Sequence, residues 1–349
     1  MFDNYTYNNA ADQHSFDITN VDLAIINSIR RVLLSEIPVV GFYGEDEPTI
    51  EILFNNGPLH NEFMIHRVGL LPLVISSDIT EDYTDGDYVF ELNVENTGNN
   101  MINITTGDFK GKYKDKELTK AELEKIFPAN KISKSKILIT RLRTGEHLHL
   151  IATAIKKTGK TNASFSPVSL SNFYFVEDDK ESATKDNVLD KHRSYYKNAY
   201  GDPSKINFQI EAVNGFTYKF LFKKAIEILI EKLENLIVGL ENKTVPIEQV
   251  QNCESSFNFQ IDNEDDTLGN LIQSLIHNKY IRESTKYKDF TCTYAGYICP
   301  HPLKDLLIVR FTLEEQKNPD TFYNFFSDNC KSIIKILNDL NKEWKTFTK

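Results

Sequence analysis

The sequence has 349 residues, 40% hydrophobic and 26% charged, with 23 Phe and 16 Tyr; this excludes a disordered chain and a small stapled module, and by size allows two or three domains. Fifty acidic side chains against 40 basic ones give a net charge of -10, which excludes a protein that coats nucleic acid over its whole surface, since phosphate would be repelled; local basic patches remain open. The cysteines, Cys253, Cys292, Cys299 and Cys330, lack CxxC spacing, no apolar run reaches membrane-spanning length, and MFDNYTYNNAADQ has no signal-peptide core. The expectation is an intracellular protein with no membrane span, no disulfide framework and no zinc framework.

From residue 14 the pattern predicts a short strand, a helix capped by Asn20 or Asp22 and running to Ile37, and a strand near residues 49–54. The helix contains NSIRRVLLSEIP, which sets Arg30 and Arg31 in an otherwise apolar run closed by Pro38. Successive helical residues are about 100° apart, so both arginines cannot lie deep in the face of Ile25, Ile26, Ile29, Val32 and Leu33. At least one emerges. Its charge is then met by snorkelling, by an internal salt bridge, or by a second protein, for which the planar guanidinium fork is well suited.

Residues 55–204 read as a mainly β insertion, opening with NNGPLHNEFMIHRVGLLPLVI, continuing through YVFELNVEN and KILITRLRTGEHLHLIATAIKK, and closing in a polar run to Lys205. Within it KGKYKDKELTKAELEKIF predicts a short solvated helix with its flanks; its lysines leave a nucleic-acid role as an alternative. Next comes FKKAIEILIEKLENLIVGL, whose Ile226, Leu229, Leu233, Leu236 and Leu240 recur three and four apart and form one helical stripe. The connecting piece ENKTVPIEQVQNCES spans up to ~50 Å when extended. After it the order of elements repeats: SSFNFQID as strand, DTLGNLIQSLI as helix, then two strands joined at the turn of Cys299, Pro300, His301 and Pro302. A last helix carries a second stripe of Phe326, Cys330, Ile333, Leu337, Leu340 and Trp344. Each stripe can cover its own sheet; two of heptad type, one ending each unit, are also able to pack together.

Candidate chemistry is sparse. TDGD at residues 84–87 brings Asp85 and Asp87 together, as a Mg²⁺ site for an unaided nuclease would, but Asp-Gly ahead of a strand also reads as a tight turn. His147 and His149 lie two apart on a strand and share a face, yet no third ligand is evident and structural zinc takes four. GxSxG, HExxH and a phosphate-binding glycine loop are all missing from the sequence. The pattern is that of a binding protein.

Several stretches carry a resemblance. NSIRRVLLSEIP followed by NEFMIHRVGLLPL resembles the alpha-like assembly subunits of multisubunit RNA polymerases, and FELNVEN, the stretch KILITRLRTGEHLHLIATAIKKTGKTNASFSPV, and INFQIEAVNGFTYKFLFKKAIEILIEKLENL are similar to the rest of the third subunit of RNA polymerase II and its archaeal counterpart. DTLGNLIQSLI and YAGYICPHPL resemble the small partner of that subunit, the eleventh. The resemblance implies an α+β fold: two related strand-helix-strand dimerisation units paired through long helices, the first interrupted by a mainly β inserted domain. Its segments would be 1–54 with 205–242, the insertion 55–204, a linker 243–255 and a second unit 256–349. It implies a non-catalytic assembly platform for transcription by DNA-directed RNA polymerase, whose partners are the largest and second-largest subunits and smaller polymerase subunits. Phosphoryl transfer would occur on those partners. Fusion of both counterparts in one chain is a feature of some large DNA viruses, which implies virion and host cytoplasm as the location, or the nucleus otherwise.

By the same resemblance the interface with the second-largest subunit is expected at Asn27, Arg30, Arg31, Ser35, Glu36, His66 and Arg67, while the second unit recruits the largest. Thr267, Leu268 and Asn270, with Pro300 to Pro302, are expected to serve contact or fold. Gly269 would allow close helix packing and Pro302 would fix the turn. Relatives that hold zinc or an iron-sulfur cluster do so with cysteines in the inserted domain; residues 55–204 have none, so no metal or cofactor is expected there. Bacterial alpha chains carry a DNA-binding domain after their last helix; none is expected here, nor is direct sequence-specific DNA contact, and no homo-oligomer is needed. A free-standing adaptor that never joins a polymerase is the competing binding-protein reading.

Overall fold

The computed structural model describes residues 1–130, 133–251, 253–315 and 317–349. Strands β1 (Phe2–Asn8) and β2 (Gln13–Thr19) make an N-terminal hairpin and lead into α1 (Leu23–Ser35). Asp22 caps α1 by accepting the Ala24 amide at 2.8 Å, satisfying one of the helix's orphan donors. The helix ends at Ser35 rather than at the expected Ile37, because Ile37 precedes Pro38, whose ring disfavours a helical residue before it. Then come β3 (Val39–Gly41), β4 (Ile50–Asn55), α2 (Asn61–Gly69), α3 (Ser77–Glu81), β5 (Tyr88–Glu95), β6 (Ile102–Thr105), β7 (Lys110–Tyr113), β8 (Lys116–Glu117) and α4 (Lys120–Ile126). The chain continues through β9 (Leu138–Leu142), β10 (His147–Thr153), β11 (Ile155–Lys157), β12 (Val168–Phe175), the short helices α5 (Asp179–Ser182) and α6 (Val188–His192), β13 (Lys205–Ala212) and the long α7 (Tyr218–Glu241). The last part holds β14 (Ile247–Gln249), β15 (Ser256–Asp262), α8 (Asp266–Ile276), a π-helical turn His277–Arg282, β16 (Cys292–Ile298), β17 (Leu306–Leu313) and α9 (Pro319–Phe347).

Contacts divide these elements into two compact units: one of residues Met1–Leu33, Leu170–Glu211 and Phe222–Lys349, the other of Leu34–Ser169 with Ala212–Leu221. The first unit contains two four-stranded sheets, ordered β1-β2-β13-β12 and β14-β15-β17-β16. In the first sheet Phe16, Ile18, Ile206, Phe208 and Ile210 are buried. Its fourth strand, β12, comes from the far end of the segment read as an insertion. Asp17 is also buried there, held by amides of Asn207 at 2.7 Å and Asn4 at 2.9 Å and by Lys205 at 3.0 Å. Burial alone would raise its pKa, but these donors prevail and hold the carboxyl below the usual range.

The second sheet buries Phe257, Phe259 and Ile261 from β15 and Leu307, Val309 and Phe311 from β17, the alternation of a half-buried sheet. The edge strand β14 lies within the stretch read as linker. α9 starts on this sheet, with Phe322 against Phe257 at 4.6 Å and Phe326 against Phe311 at 4.9 Å between ring centroids. It ends on the other: Trp344 lies 4.9 Å from Phe16, 5.1 Å from Phe2 and 4.3 Å from Phe222 of α7. At the opposite end of α7, Lys331 of α9 pairs with Glu241 at 2.7 Å, and just beyond it Lys243 pairs with Asp320 at 2.6 Å and Tyr323 donates to the Val245 carbonyl at 2.7 Å. Every side chain of both stripes, Ile226, Leu229, Leu233, Leu236 and Leu240 on α7 and Phe326, Cys330, Ile333, Leu337, Leu340 and Trp344 on α9, is buried. α9 thus touches both sheets, and its Trp344 meets α7 at Phe222.

The second unit is built on a five-stranded sheet, β4-β10-β5-β7-β8, with the pairs β11-β3 and β6-β9 beside it. Its core runs from Val40 and Phe42 through Met64, Val68, Phe90, Leu92, Phe109 and Phe127 to Leu148 and Leu150.

Candidate protein interface

Helices α1 and α8 both begin at an aspartate, since Asp265 caps α8 through the Thr267 amide at 2.8 Å as Asp22 caps α1. Each aspartate is also engaged from the other half of the chain. Asn278, in the π-helical turn after α8, donates to Asp22 at 2.7 Å. Arg31 of α1 donates through Nε to the Thr267 hydroxyl at 2.8 Å, with a terminal nitrogen 3.7 Å from the Asp265 carboxylate, and the Ser28 hydroxyl donates to the Thr267 carbonyl at 3.2 Å. Burial would push Asp265 up, but the Thr267 hydroxyl and amide, aided by the charges of Arg31 and Lys232, hold it below the usual carboxylate range. Of the choices open for the arginine pair, Arg31 thus takes an internal ion pair.

Arg30 differs. Its Nε donates to Asn27 Oδ1 at 3.0 Å, one turn earlier, and none of its ion pairs is to a carboxylate among the described residues. It is half-buried, and desolvation together with the adjacent Arg31 lowers its pKa. A cation in that state is stabilised by an incoming anion. Asn27 and Asn270 both line a cleft of about 1060 Å³, whose rim is closed where Arg282 forks onto Asp202, donates to the Tyr200 carbonyl at 3.1 Å and lies over the Tyr200 ring. Leu268 is core, and Gly269 has no room for a side chain, as a Cβ there would sit 2.6 Å from Tyr297 and 2.7 Å from Leu307. Pro300 to Pro302 form an exposed turn in which the His301 ring accepts the Leu303 amide at 3.0 Å.

The other expected interface residues lie in the second unit. Ser35 and Glu36 are half-buried; the Ser35 carbonyl accepts the Lys160 amide at 2.7 Å, an approach that Gly159 permits because a Cβ would come within 2.3 Å of the Leu34 carbonyl. His66 and Arg67 are exposed on α2, and Arg67 donates to the carbonyls of Ile139 and Leu138 in β9, both at 3.0 Å. Reading NEFMIHRVGL without assigning it a helix hid two neighbours, Phe63 and Leu70, which are exposed despite their size. Helical spacing of i, i+3 and i+4 puts Phe63, His66 and Arg67 on one side, and Leu70 follows as the residue that caps the helix end.

The candidate catalytic groups have structural duties. TDGD is a turn, with the Asp87 amide bonded to the Thr84 carbonyl and Gly86 at φ +92°; Asp85 accepts the Lys156 amide at 2.7 Å and Asp87 lies 3.5 Å from Lys114. His147 and His149 do share a face of β10, where they hydrogen-bond Asn93 at 2.8 Å and Glu91 at 2.9 Å across to β5. Among the described residues no three His, Cys, Asp or Glu side chains are grouped as metal ligands, and no helix is long and apolar enough to cross a membrane.

Two profiles of the RNA polymerase Rpb3/Rpb11 dimerisation domain match the chain, one over residues 15–233 and the other over 256–343. The chain belongs to this family. It combines two matches to that domain, on an α+β fold, in one polypeptide. Similar proteins include subunit 3 of DNA-directed RNA polymerases II, IV and V of Arabidopsis thaliana, 29% identical over 48% of this chain and 54% of that one. Rpb3 of Dictyostelium discoideum RNA polymerase II is 29% identical over 47% of this chain and 54% of its own, and RPAC1 of Saccharomyces cerevisiae RNA polymerases I and III is 28% identical over 47% and 53%. The chain spans about half the length of the curated relatives it matches.

Proposed function

We propose that this protein is an assembly platform of a DNA-directed RNA polymerase, in which tethered counterparts of two subunits pair within one chain and dock the two large catalytic subunits. In this reading the counterparts are residues 1–54 with 205–242, and 256–349, joined by 243–255 and carrying the insertion 55–204. The observation that carries it is Trp344: a residue in the last helix of the second half, just past the second family match, is buried among Phe16 and Phe222 of the first. Such shared burial is what an internal heterodimer requires. The second-largest subunit is met by Asn27, Arg30, Ser35, Glu36, His66 and Arg67, the largest by the second half through Asn270 and its neighbours, and smaller subunits elsewhere. Arg31, Thr267 and Leu268 support that surface from behind by fixing α1 against α8. The protein works inside the cell, wherever its polymerase transcribes, and the fused arrangement fits a polymerase of a large DNA virus.

Arg30, half-buried and without an ion pair to a carboxylate among the described residues, provides the test. Arg30→Glu is expected to leave the isolated chain folded, with a cooperative urea transition, yet to abolish recovery of both large subunits when the polymerase is purified through this chain. Unchanged recovery of the full enzyme would refute the platform.

A further inference from the structure

Extended, the piece ENKTVPIEQVQNCES would be an open tether between the two halves; folded, it has no slack. Helix α7 ends at Glu241 and β14 begins at Ile247, so only residues 242–246 connect them. Lys243, at φ +57°, turns the chain out of the helix. Its amide donates to the Leu240 carbonyl at 3.2 Å, and the Thr244 amide donates to the Gly239 carbonyl at 2.9 Å. These are the two backward bonds of a Schellman helix end, built here on a lysine where glycine is usual. Gly239 leaves room for the chain to fold back, since a Cβ there would lie 3.0 Å from a methyl of Val245.

The far side of the turn is held by the second half. Lys243 pairs with Asp320 at the start of α9 at 2.6 Å, Tyr323 of α9 donates to the Val245 carbonyl at 2.7 Å, and the Gln260 amide of β15 donates to the Pro246 carbonyl at 3.0 Å. β14 then runs antiparallel to β15, with Ile247 opposite Phe259. Before the turn, Glu241 pairs with Lys331 of α9 at 2.7 Å. The end of α7 therefore lies against α9 of its own chain, on ground that a second copy's α7 would otherwise need. Both halves match one dimerisation domain, so each carries pairing surface that another copy could cover, and tethered domains exchange between copies when the hinge opens.

We infer that residues 239–246 form a folded corner that commits the two halves to pair within one chain and bars exchange with a second copy. This rests on the internal pairing in the reading above. A swapped dimer has to straighten residues 242–246 and lose the backward bonds of Lys243 and Thr244, which the closed chain keeps.

Lys243→Pro and Lys243→Gly separate the corner from the ion pair: both remove the contact with Asp320, but only proline forbids a positive φ and deletes the amide. The full-length chain is unfolded in urea, refolded over a range of protein concentrations, and its mass measured by light scattering after size exclusion. Wild type and Lys243→Gly are expected to keep the mass of one chain throughout. Lys243→Pro is expected to give at least about tenfold more of a species of twice that mass as concentration rises. Two differently tagged populations of Lys243→Pro, refolded together, should copurify, and those of wild type should not. If Lys243→Pro does not refold, Val245→Gly, which loosens the same turn, is read in its place with the same expected gain. The inference is overturned by a Lys243→Pro chain that stays monomeric, by wild type that pairs with a second copy, or by Lys243→Gly dimerising as Lys243→Pro does. None of these outcomes decides the platform reading, which Arg30→Glu tests through recovery of the large subunits.

Discussion

Two adjacent arginines of one helix do different work because helical rotation separates them. Arg31 reaches Thr267 and Asp265 across the chain, whereas Arg30 turns toward Asn27 and meets no carboxylate among the described residues. The Arg31 ion pair is partly exposed, so screening leaves the hydrogen bond to the buried Thr267 hydroxyl as the larger contribution. Arg31→Ala and Thr267→Val are each expected to cost about 1 kcal/mol in urea denaturation, and the double variant less than their sum by about 0.5 kcal/mol; strict additivity would mean the two do not interact. The sequence established that one arginine must emerge, from rotation alone. It could not say which, since the partner lies 236 positions away. Phe63 and Leu70 were legible in principle, from their spacing, once NEFMIHRVGL is taken as a helix.

At the level of elements, the stripes on α7 and α9 were the clearest signal, because a 3.6-residue period survives any tertiary arrangement. The strand and helix that open each half, the turn at TDGD and the short helix α4 were equally plain, but β4, read as the closing strand of the first unit, pairs instead with β10 in the five-stranded sheet. The strand β1 was not: Phe2 is half-buried among Phe16, Phe222, Trp344 and Phe347, but exposed polar residues fill the rest of β1 and mask the period of two. β14 and β12 were hidden for a related reason, being short or edge strands whose pairing depends on distant partners. α9 joins two sheets, which sets its energetic weight. Trp344→Ala removes a fully buried indole and is expected to cost about 3 to 5 kcal/mol, lowering the midpoint of one cooperative unfolding transition followed by circular dichroism. Two separated transitions in that variant would show that the sheets do not depend on a common helix.

For the molecule as a whole, acid should be destabilising in a defined window. Asp17, Asp202 and Asp265 all have carboxyls held below their ordinary value in the folded chain, Asp202 chiefly by the Arg282 hydrogen bond. A depressed folded pKa contributes stability that is complete above the unfolded value, about 4, and is lost as pH falls through the folded value. The urea midpoint is therefore expected to hold steady from pH 7 to about 5 and to drop steeply below about 4, with Asp265→Asn showing a lower plateau and a shallower fall. A midpoint that rises on acidification would contradict the sign of these shifts.

The aromatic cluster of Phe2, Phe16, Phe222 and Trp344 also bears on biosynthesis. Its first two rings leave the ribosome long before its indole, so the hairpin of β1 and β2 must wait, with its apolar face uncovered, until nearly all of α9 has been translated. Contacts so distant along the chain slow folding and prolong exposure to aggregation. Joining the two halves on one messenger shortens that wait to the time of a single round of translation, because the covering helix arrives already tethered to the surface that needs it.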